Sequence, residues 1–319
     1  MWISRAALTN VRSFEKADVN LSKGINVLVG ANNSGKSTII HAVSSIQTGG
    51  LLQQKDRRIR TQNGNVELIL QDDTKKYLAQ AGNVYNYILK GQSRTLAGST
   101  VNEITAIEPD NFIYPYLSKR KTAGYNEQIK EEFANAVRGN FQHLYAKVDR
   151  ITNPEFLPAH DSYIKACDDI LGFRVTTVPS SNGKKAAYII RNMENIPLEV
   201  MGEGVANIVG LLVDLCVAEG KLFLIEEPEN DIHPKALKSL LLLIKEKSDT
   251  NQFIVTTHSH IETKYLGSNP NSKVFEVKVS FEDKIPTSRI EEVDSSVESR
   301  RNLLESLGYE LIDVDMWDS

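Results

Sequence analysis

The nine residues GANNSGKST, Gly30–Thr38, decide the fold of this 319-residue chain. They match G-x-x-x-x-G-K-[ST], a phosphate-binding loop (P-loop) in which glycines let backbone N–H groups turn inward around phosphate oxygens. The apolar run GINVLVG precedes the loop, and a helical pattern from Lys36 to about Gln47 follows it. This strand–loop–helix order predicts an α/β fold with a phosphate site, in preference to a glycine-rich turn that only caps a helix.

The residues of the P-loop predict their own roles. Lys36 supplies positive charge to the β and γ phosphates, Ser37 can bind Mg²⁺ through its hydroxyl, and the helix N-terminus adds partial positive charge. We therefore expect ATP and Mg²⁺ as cofactors. The expected nucleotide ligands in the loop are Gly30, Asn32, Asn33, Ser34, Gly35, Lys36, Ser37 and Thr38.

A second stretch, LFLIEEPENDIHP at Leu222–Pro234, places two glutamates at the end of an apolar run. The run is typical of a buried strand that ends at Glu226, and carboxylates there need a cation or a reacting group opposite them. We expect this strand to lie beside the P-loop strand, so that Glu226 reaches the Mg²⁺ shell. Glu227, aimed differently, would polarise the water that attacks the γ-phosphate. The alternative is a pair of solvated loop glutamates.

The remaining pattern predicts how the chain is organised around these two stretches. Strand-like runs open the chain, the segment 126–170 has helical periodicity, and helices and strands alternate from Gly204 to Thr257. We expect one domain in four parts: a β-arm with the P-loop (1–90), strands and a helical insertion (91–200), the lobe with the acidic strand (201–290), and a tail (291–319). The predicted strands include 2–10, 17–21, 65–71, 84–90, TVNEITAI (100–107) and PLEVM (197–201).

The composition is that of an ordinary globular protein, with 41% hydrophobic and 24% charged residues. A net charge of -4 argues against a surface that grips nucleic acid over its whole extent. Cys167 and Cys216 lie in helix-like apolar contexts and are expected to be buried free thiols. The N-terminal residues lack the apolar core of a signal peptide, and the apolar runs are too short to cross a membrane. The sequence therefore predicts a cytoplasmic protein without a membrane partner.

Two further motifs narrow the class. MGEGVANIVGLL (201–212) is a glycine turn followed by a helix, and FIVTTHSH (253–260) is a buried strand that ends in a histidine. With the P-loop and the acidic strand, they resemble the ABC-type ATPases of the recombination and chromosome-maintenance branch. The resemblance is closest to the ATPase part of the OLD (overcoming lysogenisation defect) family and its stand-alone relatives in bacterial anti-phage systems. The expected fold is an α/β P-loop ABC-type ATPase with an N-terminal antiparallel β-arm, a mostly parallel core sheet and a helical insertion.

The resemblance implies a role for several residues. Gly30–Thr38 would be the Walker A motif and Leu222–Glu227 the Walker B motif, with Glu227 as the catalytic glutamate. The D-loop would contain Glu229–Ile232, and His258 would be the switch histidine that senses the γ-phosphate. No Q-loop is assigned, because Gln71 at a strand end is a weak match. A small GTPase is disfavoured because the chain has no N-K-x-D segment, and a hexameric AAA+ motor would not need the two further motifs.

The glycine turn matches the signature motif of this class through Gly204 and is expected to bind nucleotide through Gly202 and Gly204. Two departures bear on turnover. Gly202 replaces the usual signature serine, which removes a hydroxyl donor to the γ-phosphate. Glu226 replaces the usual aspartate and is one methylene longer. We expect slow ATP hydrolysis with ATP binding retained.

Two dense basic runs are candidate docking surfaces. KDRRIR (55–60) and SKRK (118–121) could bind nucleic acid or a partner protein, since clustered Lys and Arg neutralise phosphates without reading sequence; the alternative is two solvated faces. Arg12 in the β-arm is expected near the phosphates. IDVD places Asp313 and Asp315 at the spacing of a Toprim nuclease, but only four residues follow, so no complete nuclease is expected.

These observations predict an ABC-class ATPase subunit that forms an ATP-dependent homodimer, or a higher oligomer, and regulates or scaffolds a separate effector such as a nuclease. Anti-phage defence is the favoured setting. Two alternatives stay open at this point: a DNA-repair or recombination ATPase that clamps DNA through its basic runs, and a slowly hydrolysing, ATP-gated assembly scaffold.

Overall fold

The strand that precedes the P-loop, β3 (Ile25–Val29), is fully buried inside a six-stranded sheet. The structure is a computed structural model that describes residues 1–50, 52–71, 84–96, 99–100, 104–117, 144–180, 183–191, 194–230, 232–294 and 296–308. The β3 sheet is parallel except for one antiparallel edge strand, which confirms the mostly parallel core sheet. In spatial order its strands are β15 (Ile285–Val293), β14 (Ser272–Glu282), β3, β13 (Gln252–Thr257), β12 (Leu222–Glu226) and β8 (Ile113–Tyr116).

Alternate residues of these buried strands face two hydrophobic cores, one on each side of the sheet. In β3, Val27 and Val29 face the first core and Leu28 faces the second. The same alternation separates Phe223 from Leu224 in β12. Side chains of a strand point to opposite faces in turn, so a sheet covered on both faces requires continuous apolar runs. This is why β3 is hydrophobic except at Asn26, and why β12 is hydrophobic up to Glu226.

The second core lies under a curved antiparallel sheet and helix α1 (Lys36–Ser44). This sheet is the N-terminal antiparallel β-arm that the sequence predicts, and its buried residues alternate, as at Val66, Leu68 and Leu70. In spatial order its strands are β2 (Phe14–Asn20), β1 (Trp2–Val11), β4 (Asn65–Gln71), β5 (Val84–Ile88), β6 (Ser93–Leu96) and β7 (Ser99–Thr100).

The first core is built by helices and a small three-stranded sheet on the other side of β3. A π-helical turn, Cys167–Leu171, extends the helix Ala159–Ala166. Cys167 is a buried free thiol, as expected. The helices are α2 (Leu144–Ile151), α3 (Ala159–Ala166), α4 (Glu203–Val217), α5 (Pro234–Lys247), α6 (His260–Gly267) and α7 (Val297–Ser306). The small sheet contains β9 (Val175–Ser180), β10 (Gly183–Arg191) and β11 (Glu194–Pro197).

A buried ionic network joins the insertion to α4. The Lys147 ammonium on α2 donates to Glu108 at 2.8 Å and to Asp214 on α4 at 2.6 Å, and all three side chains are buried. Tyr116 at the end of β8 also donates to Asp214. Burial alone would lower the pKa of Lys147, but the carboxylates of Asp214 and Glu108 raise it above its usual value. The network therefore keeps its charges and ties three elements together.

Some local predictions are wrong. TVNEITAI does not continue as a strand through 104–107, where only Ile104 forms an isolated bridge. PLEVM leaves its strand at Pro197 and becomes a 3-10 turn over Leu198–Val200. The strand β14 and the helix α6 were not predicted at all. Among the described helices, none is long and apolar enough to cross a membrane.

Candidate functional site

The P-loop is clamped between β3 and the hairpin of β14 and β15. A side chain at Gly30 would bring its Cβ to 2.2 Å from the carbonyl oxygen of Val277 in β14. Gly35 has a φ of 115°, which favours glycine, and a Cβ there would lie 2.9 Å from both the Phe14 ring and Ser288 Oγ. Ser288 Oγ also donates to the carbonyl oxygen of Ser34 at 2.6 Å. Both motif glycines are therefore required by close approach, and the loop has little freedom to change shape.

Lys36 begins α1 and is buried beneath the loop. Its ammonium donates to the carbonyl oxygens of Gly30 at 2.7 Å and Ala31 at 3.0 Å. Burial lowers the pKa of Lys36, and negative charge from the glutamates at and after the end of β12 opposes this shift. The ammonium thus lies at the base of the P-loop, facing acidic groups that attract it. Those groups are Glu227, Glu229 and Glu226.

A cleft of about 1420 Å³ opens above the P-loop. Most of the predicted ligands line it together, whereas Gly30 lies behind the lining against β14. The hydroxyl of Ser37 is exposed in the cleft and Glu226 is a buried carboxylate in its wall, so the site offers the oxygen ligands that Mg²⁺ prefers. The predicted residues that line the cleft are Arg12, Asn32, Asn33, Ser34, Gly35, Lys36, Ser37, Thr38, Glu226 and Glu227.

The acidic strand reaches this cleft by a different route from the predicted one. We expected β12 beside β3, but β13 pairs with both strands and lies between them. All three strands are parallel, so their carboxyl ends still meet at one edge of the sheet. Glu226 is the last residue of β12 and is only 8% exposed. The intervening strand therefore does not remove Glu226 from the P-loop.

Glu227 has a left-handed backbone, with a φ of 47°, which is uncommon for a residue with a side chain. Its N–H donates to the carbonyl oxygen of Thr256 at 2.9 Å, and Asn230 Nδ2 donates to its carboxylate at 3.0 Å. The left-handed conformation follows directly after the strand, and both Glu226 and Glu227 line the cleft. Strained backbone of this kind is often found at functional sites.

His258 lies at the end of β13 and is held by Glu229. One oxygen of Glu229 accepts from the Thr257 hydroxyl at 2.7 Å and from the His258 N–H at 3.1 Å. His258 Nδ1 lies 3.2 Å from the same oxygen, and its ring is 46% exposed. Glu229 therefore fixes both the backbone and the ring of the histidine. The sequence placed Glu229 only in a loop, and no local signal indicated this contact.

Glu262 is a buried acid next to this pair that the sequence did not reveal. It lies in the first turn of α6 and is 0% exposed. Burial raises the pKa of Glu262 to about 10, and the negative charge of Glu229 adds to the shift. Glu262 is therefore neutral at physiological pH and adds no second negative charge next to Glu229.

The remaining predicted ligands lie elsewhere. Among the residues described, Gly202, Gly204 and His258 do not line the P-loop cleft. Gly202 is exposed and caps the N-terminus of α4, and a Cβ there would meet no atom within 4 Å. The turn thus presents an open helix N-terminus, which is a suitable site for an anion.

The basic run 55–60 is not a uniform charged face. Arg12, with a φ of 48°, donates to Asp56 at 2.8 Å. Arg58 is buried and donates to the carbonyl oxygens of Ser13 and Pro286 at 2.8 and 2.9 Å. The prediction that Arg58 docks nucleic acid is therefore wrong, because its guanidinium joins β15 to the β-arm. The run 118–121 and the acids Asp313 and Asp315 lie outside the described residues.

The chain has an α/β P-loop fold similar to that of the head domains of SMC proteins. Two family models match: "AAA domain, putative AbiEii toxin, Type IV TA system" over residues 104–262, and "AAA domain" over residues 6–158. The chain is similar to the solved Smc head domain with an extended coiled coil, bound to the C-terminal domain of ScpA, from Pyrococcus furiosus. The two structures have a TM-score of 0.66 and a sequence identity of 15%. The match covers 97% of this chain and 100% of the Smc chain. The predicted α/β P-loop fold is confirmed.

Two curated relatives match over short segments. The DNA double-strand break repair Rad50 ATPase of Pyrococcus abyssi is 33% identical over 86 residues, which cover 24% of this chain and 10% of that protein. The DNA replication and repair protein RecF of Salmonella typhi is 43% identical over 49 residues, which cover 15% of this chain and 14% of RecF. These matches support a similarity to ATPases of the SMC, Rad50 and RecF type, and the resemblance to the OLD family stays a prediction.

Proposed function

We propose that this chain is an ATPase subunit, two copies of which close on ATP and thereby regulate an effector. The observation that carries the proposal is the meeting of Lys36, Ser37, Glu226 and Glu227 around one cleft. A phosphate-binding cation, a metal-binding hydroxyl and two carboxylates are the groups that phosphoryl transfer to water requires. The proposal therefore includes hydrolysis of ATP to ADP and phosphate.

Each residue has a separate task in this reaction. The P-loop N–H groups and Lys36 bind and orient the triphosphate, and Glu227 accepts a proton from the attacking water. Ser37 and Glu226 would hold Mg²⁺, which supplies charge neutralisation at the phosphates. Glu229 holds His258, which in this proposal would contribute a hydrogen bond to the γ-phosphate. Neutral Glu262 limits the negative charge around Glu229.

The cleft is incomplete in one copy of the chain, and this supports dimerisation. The helix N-terminus at Gly202 is exposed and away from the cleft, so its backbone N–H groups are available to a second copy. In the proposed dimer, this turn closes on the γ-phosphate of the partner and excludes bulk water. ATP would then hold the two copies together, and hydrolysis would release them.

The proposed effector is a separate protein such as a nuclease, and the proposed setting is anti-phage defence in the cytoplasm. The toxin description of one matching family model supports a link to an effector. A second candidate is a DNA-repair ATPase, and the names of the Rad50 and RecF relatives favour it. Gly202 and Glu226 replace the serine and the aspartate that are usual in this class of ATPase. These replacements favour a third candidate function, a slowly hydrolysing, ATP-gated assembly scaffold.

Light scattering in the presence of Mg-ATP tests the proposed function. Glu227→Gln removes the charge that activates water but keeps the shape, so this variant should bind ATP, dimerise and remain closed while phosphate release stops. Gly204→Arg should block the dimer and leave ATP binding to the monomer intact. Gly91→Arg, at an exposed glycine with open space around it, is the matched control and should dimerise normally.

Two results would contradict the proposal. One is a Glu227→Gln protein that associates no more than wild type and releases phosphate at the same rate. The other is a Gly204→Arg protein that dimerises as well as Gly91→Arg, which would mean that the turn does not complete the site.

A further inference from the structure

The hairpin of β14 and β15 extends beyond the end of β3 and over the cleft. Phe275 and Val277 of β14 are 2% and 1% exposed and belong to the second core. Because strand residues alternate between faces, Val279 and Phe281 continue the same face past the edge of the sheet. Both line the P-loop cleft, and Phe281 is 72% exposed. An apolar core face thus becomes an open aromatic wall of the nucleotide site.

The sheet order tells which end of a nucleotide this wall meets. Glu226 ends β12 and Glu227 follows it, and β12 lies two strands from β3 on one side. The strand β14 pairs with β3 on the opposite side. If Glu227 activates water at the γ-phosphate, as the proposed function requires, the triphosphate runs from the β12 side across the P-loop. The nucleoside end then lies on the β14 side, at the wall.

The backbone that carries the wall is held by the hairpin pairing and by Arg58. Pro286 lies directly opposite Phe281 in the hairpin register and also lines the cleft. The two turn residues, Asp283 and Lys284, both have positive φ, at 48° and 66°, which is the conformation of a tight two-residue hairpin turn. Arg58 donates to the carbonyl oxygen of Pro286 and to the hydroxyl that follows it, fixing β15 against the β-arm. A preorganised aromatic surface binds with a smaller loss of conformational entropy.

We propose that Phe281, supported by Val279 and Pro286, is the base-binding residue of the site and stacks on the purine ring of the nucleotide. This inference rests on the proposed function for the direction of the triphosphate. The three side chains offer ring and aliphatic contacts with no side-chain hydrogen-bond donor, so the wall recognises the flat face of the base. The P-loop binds the phosphates, and Phe281 selects ligands that carry an aromatic base.

Calorimetric titration with three ligands tests this assignment: ATP, ADP and inorganic tripolyphosphate. Phe281→Ala should weaken ATP and ADP binding about tenfold, the scale of lost base–aromatic stacking, and leave tripolyphosphate binding unchanged. Phe281→Trp should restore the affinity for both nucleotides. Phe156→Ala, which truncates a partly exposed aromatic residue outside the cleft, is the matched control and should change no affinity.

The possible failures are distinguishable. Equal ATP affinity in wild type and Phe281→Ala would overturn the base-binding role alone. A Phe281→Ala protein with normal ATP affinity but impaired ATP-dependent dimerisation would assign the ring to the subunit interface instead, and would also overturn it. A wild-type protein that binds neither ATP nor tripolyphosphate would overturn the proposed function and this inference with it.

Discussion

Replacing Glu262 by glutamine should stabilise the protein increasingly as the pH rises. Glu262 is completely buried, and its carboxyl group keeps its proton in the folded chain, with a pKa of about 10 against an ordinary value of 4.5. Glutamine has nearly the same shape as the protonated acid and cannot ionise. The variant thus preserves the packing and removes one titration. The difference in the free energy of unfolding between Glu262→Gln and wild type therefore measures how the protonation of Glu262 contributes to stability.

The magnitude follows from proton linkage. The folded chain binds the Glu262 proton more tightly than the unfolded chain, so this contribution to stability is fully present below pH 4.5 and is lost as the pH rises toward 10. Each pH unit in that window lowers the free energy of unfolding by about 1.4 kcal/mol. Between pH 5.5 and 7.5, wild type should therefore lose about 2.7 kcal/mol relative to Glu262→Gln.

Urea unfolding at pH 5.5, 6.5 and 7.5 measures this difference. The stability gap between Glu262→Gln and wild type should widen at each step. Glu219→Gln, at an exposed glutamate, is the control and should follow wild type at every pH. Parallel stability curves for Glu262→Gln and wild type would refute the reasoning, because they would mean that Glu262 ionises in the folded chain as freely as in the unfolded one.

Two further predictions concern charged residues away from the cleft. Lys147→Met should lower the free energy of unfolding by about 3–5 kcal/mol, because it leaves the buried carboxylates of Glu108 and Asp214 without their cation. A thermal melt measures the loss. An unchanged melting temperature would contradict a stabilising role for the ionic network. If the basic run 55–60 binds nucleic acid, the affinity of the wild-type protein for duplex DNA should fall steeply between low and physiological salt. Arg57→Glu should make that salt dependence shallower. Fluorescence anisotropy measures both affinities. Arg58→Lys should lower stability without changing the salt slope, since Arg58 is buried; unchanged binding by Arg57→Glu would make the run a solvated or protein-docking face.

The P-loop and the β-arm could be predicted because their signals are local. The positions of Lys36 and Ser37 relative to the glycines define the phosphate site within nine residues. The alternation of buried residues in the arm appears in each strand separately. Such patterns depend on neighbouring residues alone, so they can be read without knowing the tertiary structure.

Three of the wrong or missing predictions depend on residues distant in the sequence. The position of β13 between β3 and β12 follows from how the connecting helices cross the sheet, which no single strand encodes. Arg58 reads as surface charge, yet its acceptors are carbonyl oxygens 45 and 228 residues away. Glu262 has the sequence context of a solvated helix, and its burial comes from the helix docking onto the core sheet. Tertiary packing decided each of these cases.

The clamping of the P-loop by β14 and β15 has a consequence for biosynthesis. The loop occupies residues 30–38, but its shape depends on Val277 beside Gly30 and on Ser288, which binds Ser34 from 254 residues away. A ribosome-bound chain therefore exposes the motif long before the strands that complete it have been made. Contacts between such distant segments form late in folding. The P-loop therefore gains the contacts that hold its shape only after the residues of β14 and β15 have been synthesised.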